Sequence, residues 1–187
     1  NAKNQVFDLL PLAALYGKKE TDRMRVLCVS SGMSPSLKSL ADIRNIKRPV
    51  TDPLKHRLSF DLLTAHPCHN LTGTSFNFRL GYGTHFGENV LDGVLKRLKI
   101  TAVLRTNQTF SIGLLPFPSV AAPKLITLNS THRMYRLDEN DPGNPNLSVV
   151  LCWDEVDKSD GSKGYQYTRR IAGEMPELIN EKKYDEV

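Results

Sequence analysis

The sequence predicts a single α+β domain that is rich in antiparallel strands and has one main amphipathic helix. Short apolar and β-branched segments recur along the chain between turns rich in Gly, Pro and Asn. One stretch, at about 88–99, places apolar residues at helical spacing instead. A chain of 187 residues suits one core. We therefore expect an N-terminal arm at 1–23, a core domain at 24–173 and a charged tail at 174–187.

The opening segment is an apolar peptide that proline interrupts. Pro11 removes a backbone donor and Gly17 closes the segment, so an extended arm is favoured over a long helix. An arm of this composition is expected to bury itself against another surface. The residues expected to do so are Phe7, Leu9, Leu10, Leu12, Leu15 and Tyr16.

The next part of the chain alternates strand and helix signals. Met24–Ser30 is β-branched enough for a strand, and Ser36–Arg44 has the serine caps of a short helix. Two prolines make 48–53 an extended connection. Leu58–Thr64 is predicted to be a strand.

The central third gives the clearest patterns. Thr74–Tyr82 alternates apolar and polar residues, so Phe76, Phe78, Leu80 and Tyr82 are expected on one buried strand face. The following helix, Glu88–Lys99, carries its cations near the C-terminal end, where they interact favourably with the helix dipole. Its apolar face consists of Val90, Leu91, Val94, Leu95 and Leu98.

Further strands are predicted after this helix. Ile100–Arg105 and Phe110–Leu115 flank a short polar turn and are expected to form a hairpin. Leu147–Trp153 is apolar enough to lie centrally in a sheet. The remaining candidate strands are Lys124–Asn129, Arg133–Leu137 and Tyr165–Ala172.

The positive charge is concentrated in the first part of the chain. Residues 1–110 contain 16 Lys+Arg and 8 Asp+Glu, a net of +8, and the total of +5 leaves −3 for 111–187. If the clusters converge, they would attract a polyanion; otherwise they form an ordinary solvated surface. The expected polyanion-binding residues are Arg25, Arg44, Lys47, Arg48, Lys96, Arg97 and Lys99.

One short stretch gathers metal-ligand types. His66-Pro67-Cys68-His69 holds two imidazoles and a thiol, but no second pair follows at zinc-finger spacing. His85 and His132 could complete a site only through the tertiary fold. A structural loop is the favoured interpretation, and no metal or cofactor is expected.

The sequence contains no recognisable catalytic motif. Gly81–Gly87 has the spacing of a dinucleotide-binding loop, yet Tyr82 and Phe86 occupy positions where phosphate approach needs small residues. Asp154, Glu155 and Asp157 could pair as acid and base, but they follow a predicted strand into a charged loop. The glycines of Gly81–Gly87 are instead expected to form a turn between a strand and a helix. We expect neither an enzyme nor a small-molecule substrate.

Cysteine usage favours a reducing compartment. The three thiols, Cys28, Cys68 and Cys152, are too few and odd in number for a disulfide framework, and are expected to be buried. The N-terminus lacks the pattern of a secretory signal, so we do not expect secretion. Four Asn-x-Ser/Thr sequences, at Asn70, Asn107, Asn129 and Asn146, leave glycosylation open.

The layout of the central elements resembles that of rhabdovirus-type matrix proteins. The resemblance covers roughly 74–155: a strand, an amphipathic helix, a strand and later extended segments in a basic domain with an apolar arm. Phe117-Pro118-Ser119-Val120 is similar to a budding motif of some paramyxovirus matrix proteins, although Pro-Pro-x-Tyr is absent. This resemblance implies a viral structural protein that self-associates through its arm into a homo-oligomer and bridges acidic membrane lipid and ribonucleoprotein. It also implies a location in the virion, in the host cytoplasm and peripherally on the membrane.

Two alternatives remain open. Leu95–Pro118 also resembles paired strands of jelly-roll viral coat proteins. A cellular nucleic-acid-binding module would instead use Arg25, Lys47, Arg48, Lys96 and Arg97 on phosphates. Such a module would stack bases on Phe76, Phe78 or Tyr82.

Overall fold

The computed structural model describes most of the first two thirds of the chain and two later strands. The described residues are 6–17, 24–108, 110, 113–119, 123–130, 149–157 and 163–171. The chain divides into two compact units, residues 1–105 and 106–187.

Unit 1 contains the described helices. They are α1 Leu40–Arg44, α2 Arg57–Thr64 and α3 Glu88–Leu98, and a 3-10 turn covers Pro53–Lys55. The strands of unit 1 are β1 Ala13–Tyr16, β2 Val26–Val29, β3 His66–Pro67, β4 Thr74–Phe76, β5 Thr84–Phe86 and β6 Ala102–Arg105. Those of unit 2 are β7 Leu114–Phe117, β8 Leu125–Leu128, β9 Val149–Asp157 and β10 Lys163–Ile171.

Two small sheets organise unit 1, and both mix parallel and antiparallel pairs. β2 pairs in parallel with β6 and antiparallel with β1. β5 pairs in parallel with β3 and antiparallel with β4. The α+β class is therefore confirmed, whereas a purely antiparallel arrangement is wrong. Part of the expected arm, Ala13–Tyr16, is an edge strand of the unit's own sheet.

The predicted helix at 88–99 is confirmed as α3. Gly87 is its N-cap, and Lys99 ends it in a left-handed conformation with φ 51°. Its buried face is Leu91, Val94, Leu95 and Leu98, which repeats at i, i+3, i+4 and i+7. The helix leads directly into β6, whose predicted position is also confirmed.

Arg25 fixes the C-terminal end of α3 to the start of β2. Its buried guanidinium donates to the carbonyl oxygens of Leu98 at 3.1 Å and Lys99 at 2.7 Å, and to that of Gly17 at 3.3 Å. The last carbonyls of a helix have no partner within the helix. Arg25 satisfies two acceptors at this helix end, and a charged donor makes these bonds strong.

The predicted strand at Leu58–Thr64 is wrong, because this segment is α2. Leu58 and Leu62 are buried one helical turn apart, and the His56 Nδ1 atom accepts from the Ser59 backbone at the helix start. Leu58, Phe60 and Leu62 also fit a strand period, so the short apolar run was ambiguous by pattern alone. The His56 cap favours the helix over the strand.

The predicted strand at Thr74–Tyr82 is also wrong beyond Phe76. The chain turns at Asn77, and the four large apolar residues expected in the core are exposed. Gly81 and Gly83 have φ of 71° and 80°, which a strand does not allow. β4 and β5 form a hairpin around this turn.

Unit 2 contains two antiparallel pairs. β7 pairs with β8, so the predicted hairpin between Ile100–Arg105 and Phe110–Leu115 is wrong. The predicted strand at Lys124–Asn129 is confirmed. β9 and β10 form a separate two-stranded sheet, so the segment at Leu147–Trp153 is not central among the described strands. The predictions for Arg133–Leu137 and for the tail at 174–187 lie outside the described residues.

Within the ranges described above, no helix is both long and apolar enough to cross a lipid bilayer.

Gly32 is expected to be intolerant of a side chain because two elements press against it. An added Cβ would collide with the Ala65 carbonyl oxygen and lie 2.6 Å from a Phe86 ring carbon. Since neither can retreat without moving backbone or core, Gly32→Ala should lower the free energy of unfolding by about 2–3 kcal/mol. Urea denaturation followed by circular dichroism measures this loss.

Gly93 provides the matched control within α3. Its added Cβ meets only the flexible end of Arg97, at 3.2 Å. Gly93→Ala should therefore leave stability unchanged or raise it by up to about 1 kcal/mol through helix propensity. Equal losses in both variants would contradict the packing at Gly32.

Candidate functional site

The loop after β2 is held against the end of α2. The Ser31 backbone donates to the Leu62 carbonyl oxygen at 2.9 Å, and its hydroxyl donates to that of Ala65 at 3.0 Å. Ligands in open α/β sheets bind outside the carboxyl ends of parallel strands. The fixed loop at this end of β2 therefore marks the place in unit 1 to look for a site.

A buried carboxylate gathers three elements beside this loop. Asp61 of α2 accepts from the Ser34 hydroxyl at 2.6 Å and from the Arg57 Nε atom at 2.9 Å. Its second oxygen accepts from the Thr84 hydroxyl at 3.2 Å, and that hydroxyl accepts from the Arg57 Nη2 atom at 2.9 Å. We call Ser34, Arg57, Asp61 and Thr84 the Asp61 cluster.

The two charges of the Asp61 cluster differ sharply in exposure. The Asp61 side chain is fully buried, whereas 61% of the Arg57 side chain is exposed. A buried carboxylate needs hydrogen bonds and a counter-charge to offset its lost hydration. Arg57 supplies both from the surface, and its guanidinium is consequently held in one position while solvent still reaches it.

Another arginine, Arg105, is buried at the end of β6. The Arg105 Nη2 atom is 3.0 Å from the His66 Nδ1 atom, and both side chains are buried. Burial lowers the pKa of the Arg105 guanidinium to about 9, so it remains charged at neutral pH. A guanidinium only donates, so His66 Nδ1 is the acceptor and the imidazole proton of neutral His66 resides on Nε2.

The described part of the chain assembles no group of three His, Cys, Asp or Glu side chains that could hold a metal ion. Asp61 and His66 already face Arg57 and Arg105. The Cys68 thiol lies 3.4 Å from the His69 carbonyl oxygen, and His85 stands opposite His66 in the β3–β5 register. His132 lies outside the described residues.

The cysteines are free and half-buried. Burial raises the pKa of the Cys28 thiol, which keeps it protonated at neutral pH and a poor nucleophile. The side chains of Asp154, Glu155 and Asp157 are not described.

The seven residues expected to bind a polyanion have different environments. Arg25 is buried at the end of α3. Arg97 donates to the Leu37 carbonyl oxygen at 3.2 Å, and Arg48 donates to that of Leu9 at 3.2 Å. Arg44, Lys47, Lys96 and Lys99 are exposed. Polyanion binding by these residues stays a prediction, but Arg25 is already engaged inside the unit.

The six residues expected to drive self-association differ in their exposure to solvent. Phe7, Leu9, Leu10 and Tyr16 are exposed. Leu12 and Leu15 are half-buried, and Leu15 lies opposite Leu27 in the β1–β2 register. Self-association through these residues stays a prediction.

Sequence reasoning missed the Asp61 cluster because α2 was taken for a strand. In a helix, Arg57 and Asp61 are four residues apart and therefore face each other. A lone acid within an apolar segment was the available signal, since such a residue needs a partner when the segment is buried.

Removal of the Asp61 carboxylate should be costly because its partners remain in place. Asp61→Ala removes the buried acceptor shared by the Ser34 and Thr84 hydroxyls and the counter-charge of Arg57. We expect a loss of about 2–4 kcal/mol in the free energy of unfolding. Ser34→Ala removes one neutral partner and should cost about 1 kcal/mol. Urea denaturation of both variants checks the order, and a larger loss for Ser34→Ala would contradict it.

The His66–Arg105 contact predicts that an acceptor is what matters at position 66. His66→Leu leaves the buried guanidinium without this acceptor and should cost about 1.5–3 kcal/mol. His66→Gln offers a carbonyl oxygen and should recover at least half of that loss. Thermal unfolding of the two variants makes the comparison, and equal stability would show that the contact contributes nothing.

Comparison with known proteins identifies relatives of a defined class. The family model for calcineurin-like phosphoesterases matches residues 1–106. The serine/threonine-protein phosphatase PP1-delta of Caenorhabditis elegans is 34% identical over 124 residues, which are 66% of this chain and 37% of that protein. Another serine/threonine-protein phosphatase of the same nematode is 33% identical over 127 residues, 68% of this chain and 25% of its own length.

Solved structures show the same fold. A protein serine/threonine phosphatase from Saccharomyces cerevisiae, with similarity to human phosphatase PP5, superposes with a TM-score of 0.62 at 23% identity. The superposition covers 92% of this chain and 50% of that one. The chain spans about a quarter to a third of the length of the curated relatives it matches.

These findings overturn the functional interpretation drawn from the sequence. The resemblance to rhabdovirus-type matrix proteins is wrong, as are the coat-protein and nucleic-acid-module alternatives, because the matches are to cellular phosphatases. A strand–helix–strand layout recurs on many unrelated folds. The membrane and ribonucleoprotein partners and the virion location are wrong with that resemblance. The expectation of no enzyme and no substrate, drawn from the absence of a catalytic motif, is also wrong, because the relatives are serine/threonine-protein phosphatases. This chain belongs to the calcineurin-like phosphoesterase family.

Proposed function

We propose that the protein containing this chain acts on phosphoserine or phosphothreonine in other proteins, and that Arg57 helps to bind the phosphate. The observation that supports this proposal is the state of Arg57 within the family-matched region. Its guanidinium is anchored by Asp61 and Thr84, yet most of the side chain is exposed. Planar guanidinium groups pair well with phosphate oxygens, and anchoring reduces the entropy lost on binding.

The family is one of metallophosphoesterases, so a bound metal ion is implied. The described residues do not fit one, because their buried carboxylate and buried imidazole each face a guanidinium and no third ligand joins them. A second cation placed there would be repelled. Any metal would need ligands from elsewhere in the protein.

This mismatch favours a second candidate function, which is recognition of phosphorylated protein without hydrolysis. The Arg57 argument applies equally to both functions, because binding precedes turnover. The two candidates differ only in whether phosphate is released from the bound substrate.

An assay of the full-length protein separates these functions. Release of inorganic phosphate from a phosphothreonine peptide, with and without added Mn²⁺, measures hydrolysis; calorimetry with the same peptide and its unphosphorylated form measures recognition. Hydrolysis supports the first candidate, and phosphate-dependent binding without turnover supports the second. A protein that neither hydrolyses the phosphothreonine peptide nor binds it would contradict both candidate functions.

The role of Arg57 has its own test. Arg57→Met should weaken binding of the phosphothreonine peptide about tenfold, which corresponds to about 1.4 kcal/mol. Lys38→Met removes an exposed cation of unit 1 that is not among the predicted polyanion-binding residues, and it should leave the affinity within about twofold. Thermal unfolding confirms that each variant is folded. An equal loss in both variants would mean that general charge, and not Arg57, binds the phosphate.

A further inference from the structure

The hairpin turn between β4 and β5 exposes a group of large apolar side chains. Phe76, Phe78, Leu80 and Tyr82 all lie at the surface, and 85% of Phe78 is accessible to solvent. We call residues 76–82 the β4–β5 tip. Single apolar residues on a surface need no explanation, but four exposed large apolar residues on one seven-residue turn are the kind of surface that marks an interaction site.

The tip has a defined conformation that a single buried residue maintains. The Asn77 backbone donates to the Gly83 carbonyl oxygen at 3.1 Å, and its own carbonyl oxygen accepts from Gly81 at 3.0 Å. The Asn77 side-chain oxygen accepts from the Leu80 backbone at 3.2 Å. Phe78 packs edge-on against Phe76, with ring centroids 5.1 Å apart. Because the turn is ordered in advance, a partner would bind it with a smaller entropic cost.

The β4–β5 hairpin carries one positive side chain. Between positions 73 and 87 the sequence has no Asp or Glu, and Arg79 is its one Lys or Arg. Arg79 is exposed in the middle of the tip, between Phe78 and Leu80. The tip therefore combines apolar contact area with one positive charge.

We propose that the β4–β5 tip docks an acidic peptide segment that carries a large apolar side chain. The apolar side chain packs on Phe78, Leu80 and Tyr82, and a flanking carboxylate pairs with Arg79. Aromatic and arginine residues are enriched among the side chains that dominate binding energy at protein interfaces. The pairing of a carboxylate with a guanidinium adds orientation to the apolar contact.

Other occupants fit these features less well. A second copy packed symmetrically on the tip would bring its own Arg79 towards this one, and like charges repel. Attraction to an acidic membrane needs a cluster of several cations, whereas the tip has one. Single-stranded nucleic acid needs a basic groove that follows the phosphate backbone, not a lone arginine on a turn.

Unphosphorylated peptides test this proposal independently of the phosphatase-like function. The probe is a short fluorescent peptide in which glutamates flank a leucine and a tryptophan, and fluorescence polarisation reports its binding to the full chain. We expect saturable binding that weakens as salt is raised, because part of the attraction is electrostatic. The same peptide with lysines in place of glutamates should bind at least tenfold more weakly.

Variants locate the binding on the tip. Phe78→Ala should weaken the affinity about tenfold or more, and Arg79→Glu should abolish discrimination between the glutamate and lysine peptides. Leu54→Ala is the control, since Leu54 is another strongly exposed apolar residue of unit 1, 70% accessible to solvent, and lies outside the tip. Its loss should leave the affinity unchanged.

Four outcomes would overturn the proposal. They are failure of the glutamate peptide to bind, equal binding of the two peptides, unaltered binding by the folded Arg79→Glu variant, and equal losses in Phe78→Ala and Leu54→Ala. Self-association or vesicle binding that depends on Phe78, in place of peptide binding, would assign the tip to another occupant and reject the acidic peptide.

Discussion

The arrangement of unit 1 depends on the burial of one carboxylate. Asp61 is fully removed from solvent, and three groups on separate parts of the chain satisfy it: Ser34 after β2, Arg57 at the start of α2 and Thr84 in β5. A carboxylate in this position would be strongly destabilising without those donors. The loop after β2 and the β4–β5 hairpin are consequently tied to the same helix, and the exposed Arg57 is oriented as a by-product of satisfying the buried charge.

Arg25 plays a comparable part at the other end of the β2–β6 pair. It joins the C-terminus of α3 to the first strand residues through carbonyl oxygens that the helix leaves unsatisfied. The Thr101 hydroxyl strengthens the same junction, since it accepts from the Arg25 backbone at 3.0 Å and donates to the Arg25 carbonyl oxygen at 2.9 Å. A residue counted among the surface cations is thus an internal connector, because its partners are created only when α3 and β2 meet.

The spacing of apolar residues predicted the secondary structure correctly where one period dominated. It failed where the strand period also fitted a segment that is not a strand. α3 has apolar residues at helical spacing over three turns, so its position was predictable. Leu58–Thr64 and Thr74–Tyr82 alternate like strands, but a cap at His56 and positive φ at Gly81 and Gly83 decide against strands. The family was missed because the sequence contains no recognisable catalytic or metal-binding motif. The Asp61 cluster could have been found only by treating α2 as a helix.

The His66–Arg105 contact bears on whether the His66 imidazole can bind a metal ion. Because the guanidinium must donate, His66 offers Nδ1 to a cation that the protein itself provides, and the proton of the neutral ring occupies Nε2. A metal ligand needs a free lone pair on the imidazole, so a metal would have to displace either the proton or Arg105. Displacement of Arg105 would deprive a buried guanidinium of this acceptor, which costs free energy. Arg105 therefore occupies the nitrogen that a metal ion would need. The His66 imidazole stabilises the fold through this hydrogen bond and does not need to coordinate a metal.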